Sequence, residues 1–204
     1  VTWLATELER IGARIRLNQL AQPEDVRGLN PDVVIVATGG LPDVGFFKGA
    51  EFATTTWEIL AGQVEAGEEV LVFEETGTDA AMVCAQQLAA NGVQVELVTP
   101  DRVAGSDIGH ISVAAHMTEL YKQGVKVTVE ERLTEVRRDG NKLVALLTNV
   151  YTGRVEERLV DQVVGDYGTR PNTDLYEKLK PDSKNLGEVD ILALCEYRPQ
   201  TINT

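Results

Sequence analysis

Residues 69–98 read EVLVFEETGTDAAMVCAQQLAANGVQVELV, and this stretch decides the fold. Glu69 to Phe73 is a short apolar run, which predicts a buried strand. Asp79 to Ala90 carries apolar residues at helical spacing and stops at Asn91-Gly92, a typical helix end. Val93 to Val98 predicts a second strand. A strand, a helix and a strand within about thirty residues form the right-handed crossover unit of a parallel α/β sheet.

The sequence downstream of this unit first continues the pattern and then changes it. Gly109 to Gln123 predicts a helix, and Val125 to Val129 predicts a third strand. Three short runs follow, at 133–138, 142–149 and 154–160, separated by hairpin-turn sequences. We therefore expect an antiparallel β-meander, followed by another buried strand over Asp161 to Asp166.

The upstream part indicates a second, incomplete α/β half. Trp3 to Ile11 predicts an amphipathic helix, and Ala13 to Leu17 a short strand. DVVIVATGG, over Asp32 to Gly40, predicts a central parallel strand buried on both faces. The predicted fold class is α/β: a Rossmann-like three-layer parallel sheet with an antiparallel β-meander and two interleaved nucleotide-binding-type halves, the first of them incomplete.

Composition excludes several classes of function. The chain has 19 Lys and Arg against 32 Asp and Glu, a net charge of −13, so it repels phosphate and we expect no nucleic-acid partner. No apolar run approaches the ~20 residues of a membrane helix, so we expect no membrane partner. Cys84 and Cys195 stand apart, outside any CxxC pair, which argues against metal bound by this chain. Two reduced thiols favour a cytoplasmic location.

Three segments in this order resemble one family. They are DVVIVATGG (32–40), TTTWEILAGQVEAGEEVLVFEE (54–75) and DYGTRPNTDLYEKL (166–179). The arrangement resembles the flavoproteins with two dinucleotide-binding domains. More narrowly, it looks like the C-terminal region of the NADH:flavin oxidoreductase group that includes trimethylamine dehydrogenase, histamine dehydrogenase, 2,4-dienoyl-CoA reductase and methylated-amine (dimethylglycine-type) demethylases. The resemblance covers nearly the whole chain, and DYGTRPN favours the demethylase branch.

This resemblance implies that the chain is part of a larger oxidoreductase. Residues 1–66 and 161–204 would be a partial FAD- or ADP-binding-type half, and 67–160 an inserted NAD(P)-binding-like half. A flavin-binding barrel with FMN and a 4Fe-4S cluster would lie upstream of Val1 and would be the partner of this region. The chain begins with Val1 rather than Met, which we interpret as a boundary inside a longer protein. Alone, it should be catalytically silent; a homo-oligomer is compatible with this interpretation.

The inserted half departs from a working dinucleotide turn. Such a turn needs a glycine for the tight bend, one for close approach of the pyrophosphate, and a small residue for helix packing. The sequence over 76–81 is TGTDAA, which satisfies only the third position. Thr78 is β-branched where phosphate should approach, and Thr99 stands where an acid usually binds the ribose. Gly77, Thr78 and Thr99 are this half's candidate binding residues; we interpret it as vestigial and do not expect NAD(P)H.

In the first half the candidate residues end the predicted strand. Ala37, Thr38, Gly39 and Gly40 lie where the resembled family passes close to FAD or ADP, which is the ligand expected if this half binds one. The alternative is a plain strand-to-loop turn. We assign no catalytic residue and no metal ligand. His110 and His116 are six residues apart and do not share a helix face as i, i+4 ligands do. Acidic pairs such as Glu130-Glu131 are interpreted as solvated charges.

The leading hypothesis is therefore a nucleotide-binding or scaffolding region of a flavin-dependent oxidoreductase of the amine dehydrogenase, demethylase or enoyl reductase type. One alternative is a functional NAD(P)H-binding module, which micromolar affinity for NADH or NADPH would favour. The other is a non-enzymatic docking domain that reuses the fold and binds no nucleotide.

Overall fold

The computed structural model describes residues 2–45 and 47–183, which divide by their contacts into two units. The smaller unit contains residues 2–39 and 172–183, and the larger unit contains residues 40–45 and 47–171. In chain order the elements are α1 (Thr2–Arg10), α2 (Pro23–Gly28), β1 (Gly40–Pro42), β2 (Thr54–Thr55), α3 (Thr56–Leu60), β3 (Glu69–Glu74), α4 (Ala80–Ala90), β4 (Gln94–Val98), α5 (His110–Lys122), β5 (Lys126–Thr128), β6 (Glu131–Asp139), β7 (Lys142–Asn149), β8 (Val155–Val160), β9 (Gln162–Asp166), β10 (Thr169–Pro171) and α6 (Asp174–Leu179).

The centre of the larger unit is a five-stranded parallel sheet. Its strand order is β2-β9-β3-β4-β5. The middle strand, β3, is buried at every residue after Glu69, as expected of a parallel strand covered on both faces. The helix α4 connects β3 to β4 in the crossover that residues 69–98 predict.

Two different layers cover this sheet. Alternate residues of β3 point to opposite faces. Val70 and Val72 belong to the apolar core shared with α3, α4 and α5. Leu71 and Phe73 belong to a second core, shared with the three-stranded antiparallel meander β6-β7-β8. Helices, parallel sheet and meander make three layers, which confirms the predicted fold class.

Gly49 shows how closely the chain approaches the meander. Its φ is +83°, and an added Cβ would overlap the carbonyl oxygen of Val136 on β6. The amide of Val136 donates to the carbonyl oxygen of Lys48 at 2.8 Å, which holds the two backbones together. The position therefore requires both the conformational freedom and the small size of glycine.

We expect Gly49→Ala to lower the free energy of unfolding by about 3 kcal/mol, because it adds a backbone collision to the strain of a positive φ. Gly92→Ala is the matched control: its φ is +86°, but nothing lies within 4 Å of the added Cβ. Urea unfolding of both variants separates the collision from the strain. Equal losses of stability in the two variants would contradict the close approach.

The smaller unit differs from the sequence-based prediction. The structure shows helices α1, α2 and α6. No strand forms over the predicted 13–17, and of the strand predicted over 32–40 only Val36, in an isolated β-bridge, and Gly40, in β1, are paired. Val33 and Ile35 are 62% and 64% exposed, whereas Val36 is buried. A strand buried on both faces would leave neither of these two side chains in solvent.

The division by contacts also runs elsewhere than the predicted boundaries. It falls at 39/40 and 171/172 rather than at 66/67 and 160/161. The reason is that β2 and β9, from outside 67–160, hydrogen-bond into the sheet of β3. Cys195 and the other residues of 184–204, which the prediction assigns to the first half, lie outside the described residues. Among the residues that are described, no helix is long and apolar enough to cross a membrane.

Candidate functional site

Three parallel strands of the larger unit end at one edge of the sheet. Phe73 of β3 pairs with Val98 of β4, and Glu74 pairs with Asp166 of β9. Thr99, which directly follows Val98, therefore lies at the same edge. In α/β sheets, ligands bind in the crevice outside the carboxyl ends of the strands. We take this edge as the candidate site.

The β3–α4 turn, residues 75–79, carries the two predicted residues Gly77 and Thr78. Gly77 is buried with a φ of +68°, and Thr78 is exposed. The hydroxyl oxygens of Thr76 and Thr78 lie 3.0 Å apart, and each is placed to donate to Oδ2 of Asp166 at 3.3 Å. The turn's hydroxyl groups thus face a carboxylate of the same chain.

Glu74 is the most enclosed acid of this edge. Its side chain has no exposed area, and both carboxylate oxygens accept the amide hydrogen of Gly105, at 3.0 and 3.2 Å. Burial raises the pKa of Glu74 to about 7, against the lowering effect of the Gly105 amide. The carboxylates of Asp166 and Asp101 raise it further. Glu74 therefore exchanges its proton near neutral pH.

Asp166 is the second buried acid, 5% exposed at the end of β9. Burial raises its pKa, while the amide of Gly168 and the hydroxyl groups of Thr76 and Thr78 counteract this effect. The sequence-based prediction recognised the strand but not Asp166 as part of the site. The signal was present: one predicted strand ends in Asp166, Glu74 directly follows another, and the ends of parallel strands meet at one edge.

A loop covers the β3–α4 turn. We call residues 101–108 the strap. The amide of Asp107 donates to the carbonyl oxygen of Gly77 at 2.9 Å, and Ser106 Oγ contacts Oδ2 of Asp101. A Cβ added to Gly77 would collide with Ser106 Oγ. The strap therefore lies in contact with Gly77, and it is the reason why Gly77 is buried.

Thr99, the third residue predicted for this half, is fully buried. Its hydroxyl oxygen accepts the amide of Asp101 at 3.2 Å, and its carbonyl oxygen accepts the amide of Glu131 at 3.1 Å. Both contacts fix the start of the strap against β6. Gly77, Thr78 and Thr99 do share one edge, and their role in binding stays a prediction.

The residues predicted for the FAD- or ADP-type half lie in both units. In the smaller unit Ala37, Thr38 and Gly39 are exposed, and Thr38 Oγ donates to the carbonyl oxygen of Asn172 at 2.7 Å. The amide of Asn172 donates back to the carbonyl oxygen of Gly39 at 3.0 Å. These contacts order the turn from within. Nucleotide binding by Ala37, Thr38 and Gly39 stays a prediction.

Gly40 belongs to the larger unit, in β1. It pairs with Pro171 of β10, and an added Cβ would lie 2.8 Å from the carbonyl oxygen of Arg170. A glycine is needed there because the two strands approach closely. This structural role agrees with the alternative given above, in which residues 37–40 form a plain strand-to-loop turn.

Other polar side chains serve the fold. His116 Nδ1 lies 3.1 Å from Gln86 Nε2, and His110 is exposed. The interpretation of Glu131 as a solvated charge is wrong, because this residue is only 5% exposed at the start of β6, where the Asn149 amide group donates to Oε1 at 3.1 Å. No group of three or more His, Cys, Asp and Glu in the described ranges could hold a metal ion.

Cys84 should be inert towards thiol reagents. It is fully buried on α4, and burial raises the pKa of the thiol to about 12. We expect a Cys195→Ser variant to react with a colorimetric disulfide reagent at pH 8 only after unfolding in urea. Reaction of the folded variant at the rate of a free thiol would show that α4 opens in solution.

Comparison with known proteins gives the same picture of the fold. The chain is 40% identical over 206 residues to an N,N-dimethylglycine/sarcosine dehydrogenase of Chromohalobacter salexigens, a match that covers 97% of this chain and 30% of that protein. It is 37% identical to a probable N-methylproline demethylase of Rhizobium meliloti, with coverage of 99% and 30%. A 2-naphthoyl-CoA reductase structure superimposes with a TM-score of 0.78 at 20% identity, covering 94% of this chain and 28% of that one.

The chain thus spans about 30% of the length of the curated relatives it matches. The model of the family described as pyridine nucleotide-disulphide oxidoreductase matches residues 5–191. With its parallel sheet, its crossover helix and a match over most of its length, the chain belongs to the pyridine nucleotide-disulphide oxidoreductase family.

Proposed function

We propose that this chain is the nucleotide-binding-type region of a flavin-dependent oxidoreductase that demethylates or dehydrogenates N-methylated amines. The observation that carries the proposal is the match to two relatives named for such amines, which extends over 97% and 99% of this chain. In this proposal the chain scaffolds the enzyme and the redox chemistry takes place elsewhere in the polypeptide. FMN and a 4Fe-4S cluster, as the resemblance implies, would supply hydride and electron transfer there.

The smaller unit favours a large partner within the same polypeptide. Its described residues bury only Pro23, Val36 and Leu179. Eight of its apolar side chains are more than half exposed: Trp3, Leu4, Ile11, Leu17, Leu20, Leu29, Val33 and Ile35. Patches of this kind mark interaction surfaces. We propose that the remainder of the polypeptide, including the flavin-binding barrel, covers them, since the relatives are about three times as long as this chain.

The residues present fit the two nucleotide ligands differently. In the smaller unit the turn of Thr38 and Gly39 is exposed, and we propose that an adenine nucleotide or FAD of the first half binds there. At the crevice of the larger unit, the buried carboxyl groups of Glu74 and Asp166 lie beside the turn. Arg132, a cation near this edge, is already paired with Glu75 at 3.0 Å. We propose that this crevice holds no NAD(P)H in the conformation described.

The second candidate function is a working NAD(P)H-binding unit. The family to which the chain belongs favours it, because its description names pyridine nucleotides. Calorimetric titration of the chain with NADH and NADPH distinguishes the two candidates. Micromolar affinity would favour the second candidate.

The test of the main proposal uses the natural polypeptide that contains this sequence. We expect anaerobic addition of sarcosine, N,N-dimethylglycine or N-methylproline to bleach its flavin absorbance, and the matched unmethylated glycine and proline to leave it unchanged. The 204-residue chain alone should reduce no added flavin. If none of the three methylated amines bleaches the flavin, the proposed substrate class is wrong.

A further inference from the structure

The crevice of the larger unit is closed from two sides by residues of the same chain. On one side the Asp166 carboxylate accepts from the hydroxyl groups of Thr76 and Thr78, each at 3.3 Å. On the other side Ser106 and Asp107 of the strap lie against Gly77. In a dinucleotide-binding fold the pyrophosphate approaches the backbone of this turn, at the amino end of the following helix.

Hydrogen bonds attach the strap at both of its ends. At the β3–α4 turn the amide of Gly105 donates to both carboxylate oxygens of Glu74, and the amide of Asp107 donates to the carbonyl oxygen of Gly77. Near its start the strap accepts the Glu130 amide at the carbonyl oxygen of Asp101, and Arg102 donates to the Tyr151 hydroxyl oxygen. Within the strap, Ser106 contacts Asp101. Gly105 is itself constrained. Its φ is +72°, and a Cβ added to it would lie only 2.8 Å from Met82 Sδ on α4. Glu74 is fully buried, so no water competes for the Gly105 amide, and this carboxyl group is the attachment of the strap to β3.

We propose that the strap occupies the pyrophosphate position of this fold, with Glu74 as its latch, so that strap closure and dinucleotide binding exclude each other. The strap and a bound pyrophosphate would need the same space, because the strap touches Gly77 where phosphate oxygens would have to approach. Charge also opposes dinucleotide binding, because the carboxylates of Glu74 and Asp166 at this edge repel a pyrophosphate, which carries two negative charges. The inference rests on the proposed function only in treating the larger unit as a nucleotide-type fold.

Release of the latch tests the proposal. In Glu74→Ala the Gly105 amide loses its acceptor, and we expect hydrogen exchange at the Gly105 and Asp107 amides to accelerate at least tenfold relative to the unmodified chain. Glu75→Ala is the matched control: Glu75 is the adjacent acid, but it pairs with Arg132 and does not hold the strap. Glu74→Met, which keeps most of the side-chain volume but offers no oxygen to the Gly105 amide, is the second variant if the alanine variant loses cooperative thermal unfolding.

Titration with NADH and NADPH gives the second readout. We expect the Glu74 variants to bind one of these dinucleotides at least tenfold more tightly than the unmodified chain does, and Glu75→Ala to bind like the unmodified chain. Any dinucleotide that binds the unmodified chain should remove the exchange protection of Gly105 and Asp107. Binding with both amides still protected would overturn the proposal, and so would a released strap without a gain in affinity. Neither readout requires flavin or amine, so failure of amine oxidation leaves this inference intact. Failure of the strap test likewise leaves the proposed amine oxidation intact.

Discussion

Phe73→Ala is expected to lower the free energy of unfolding of the chain by about 3–5 kcal/mol, the usual cost of truncating a buried phenylalanine. Phe73 lies on the middle strand of the parallel sheet with no exposed area. Its ring packs 5.4 Å from the ring of Tyr167 and within the core shared with the meander. The cavity would lie between two β layers whose backbones are hydrogen-bonded and cannot collapse into it. Chemical denaturation followed by circular dichroism measures the loss.

The control for this prediction is an aromatic side chain that the fold leaves in solvent. Tyr151, in the turn between β7 and β8, is 62% exposed. We expect Tyr151→Ala to change the free energy of unfolding by less than about 0.5 kcal/mol, which is typical of surface positions. A Phe73→Ala loss as small as the control loss would mean that the meander does not pack on the sheet.

Glu74→Gln should stabilise the chain at alkaline pH and not at acidic pH. The folded protein raises the pKa of Glu74 to about 7, above its ordinary value of 4.5. The fold therefore favours the neutral carboxyl group, and its stabilising contribution is complete below about pH 4.5 and is lost as the pH rises through 7. Glutamine imitates the neutral form at every pH. At pH 8.5 we expect the variant to gain about 1–3 kcal/mol in the free energy of unfolding.

The measurement is urea unfolding at pH 5, 7 and 8.5. The exposed Glu51 supplies the control, because Glu51→Gln removes the same charge from a solvated site of the same unit. A gain at pH 8.5 that vanishes at pH 5 in the Glu74 variant alone supports the burial argument. A loss at alkaline pH would instead show that the bonds from the Gly105 amide to the charged carboxylate outweigh its desolvation.

The sequence predicts the larger unit well because its pattern is local. The alternation of short apolar runs with a helix over 69–98, and the hairpin turns near Gly140 and Gly153, fix β3 to β8 to within a few residues. Each of these strands pairs with another that lies close in the sequence.

Prediction is poorer where composition alone indicates an element. The apolar run over 32–40 has the composition of a central strand, yet Val33 and Ile35 are exposed, because composition does not say which faces of a segment other elements cover. The helix α6 was missed because its pattern is only six residues long.

The site shows the same limit. Gly77, Thr78 and Thr99 are found at the expected edge, because the ends of parallel strands coincide. The burial of Glu74 and the reach of Asp166 to the two threonines depend on a pairing between residues about ninety positions apart. The strap is invisible in the sequence, since residues 101–108 carry only the composition of an ordinary loop.

The position of β9 also orders events during folding. This strand lies between β2 and β3, although it is the last of the five to be made. Segments 69–128 can form their crossover and the meander its hairpins through short loops, which close rapidly. The sheet must then hold a gap beside β3 until residues 162–166 emerge, and during translation this open edge is exposed to pairing with other chains.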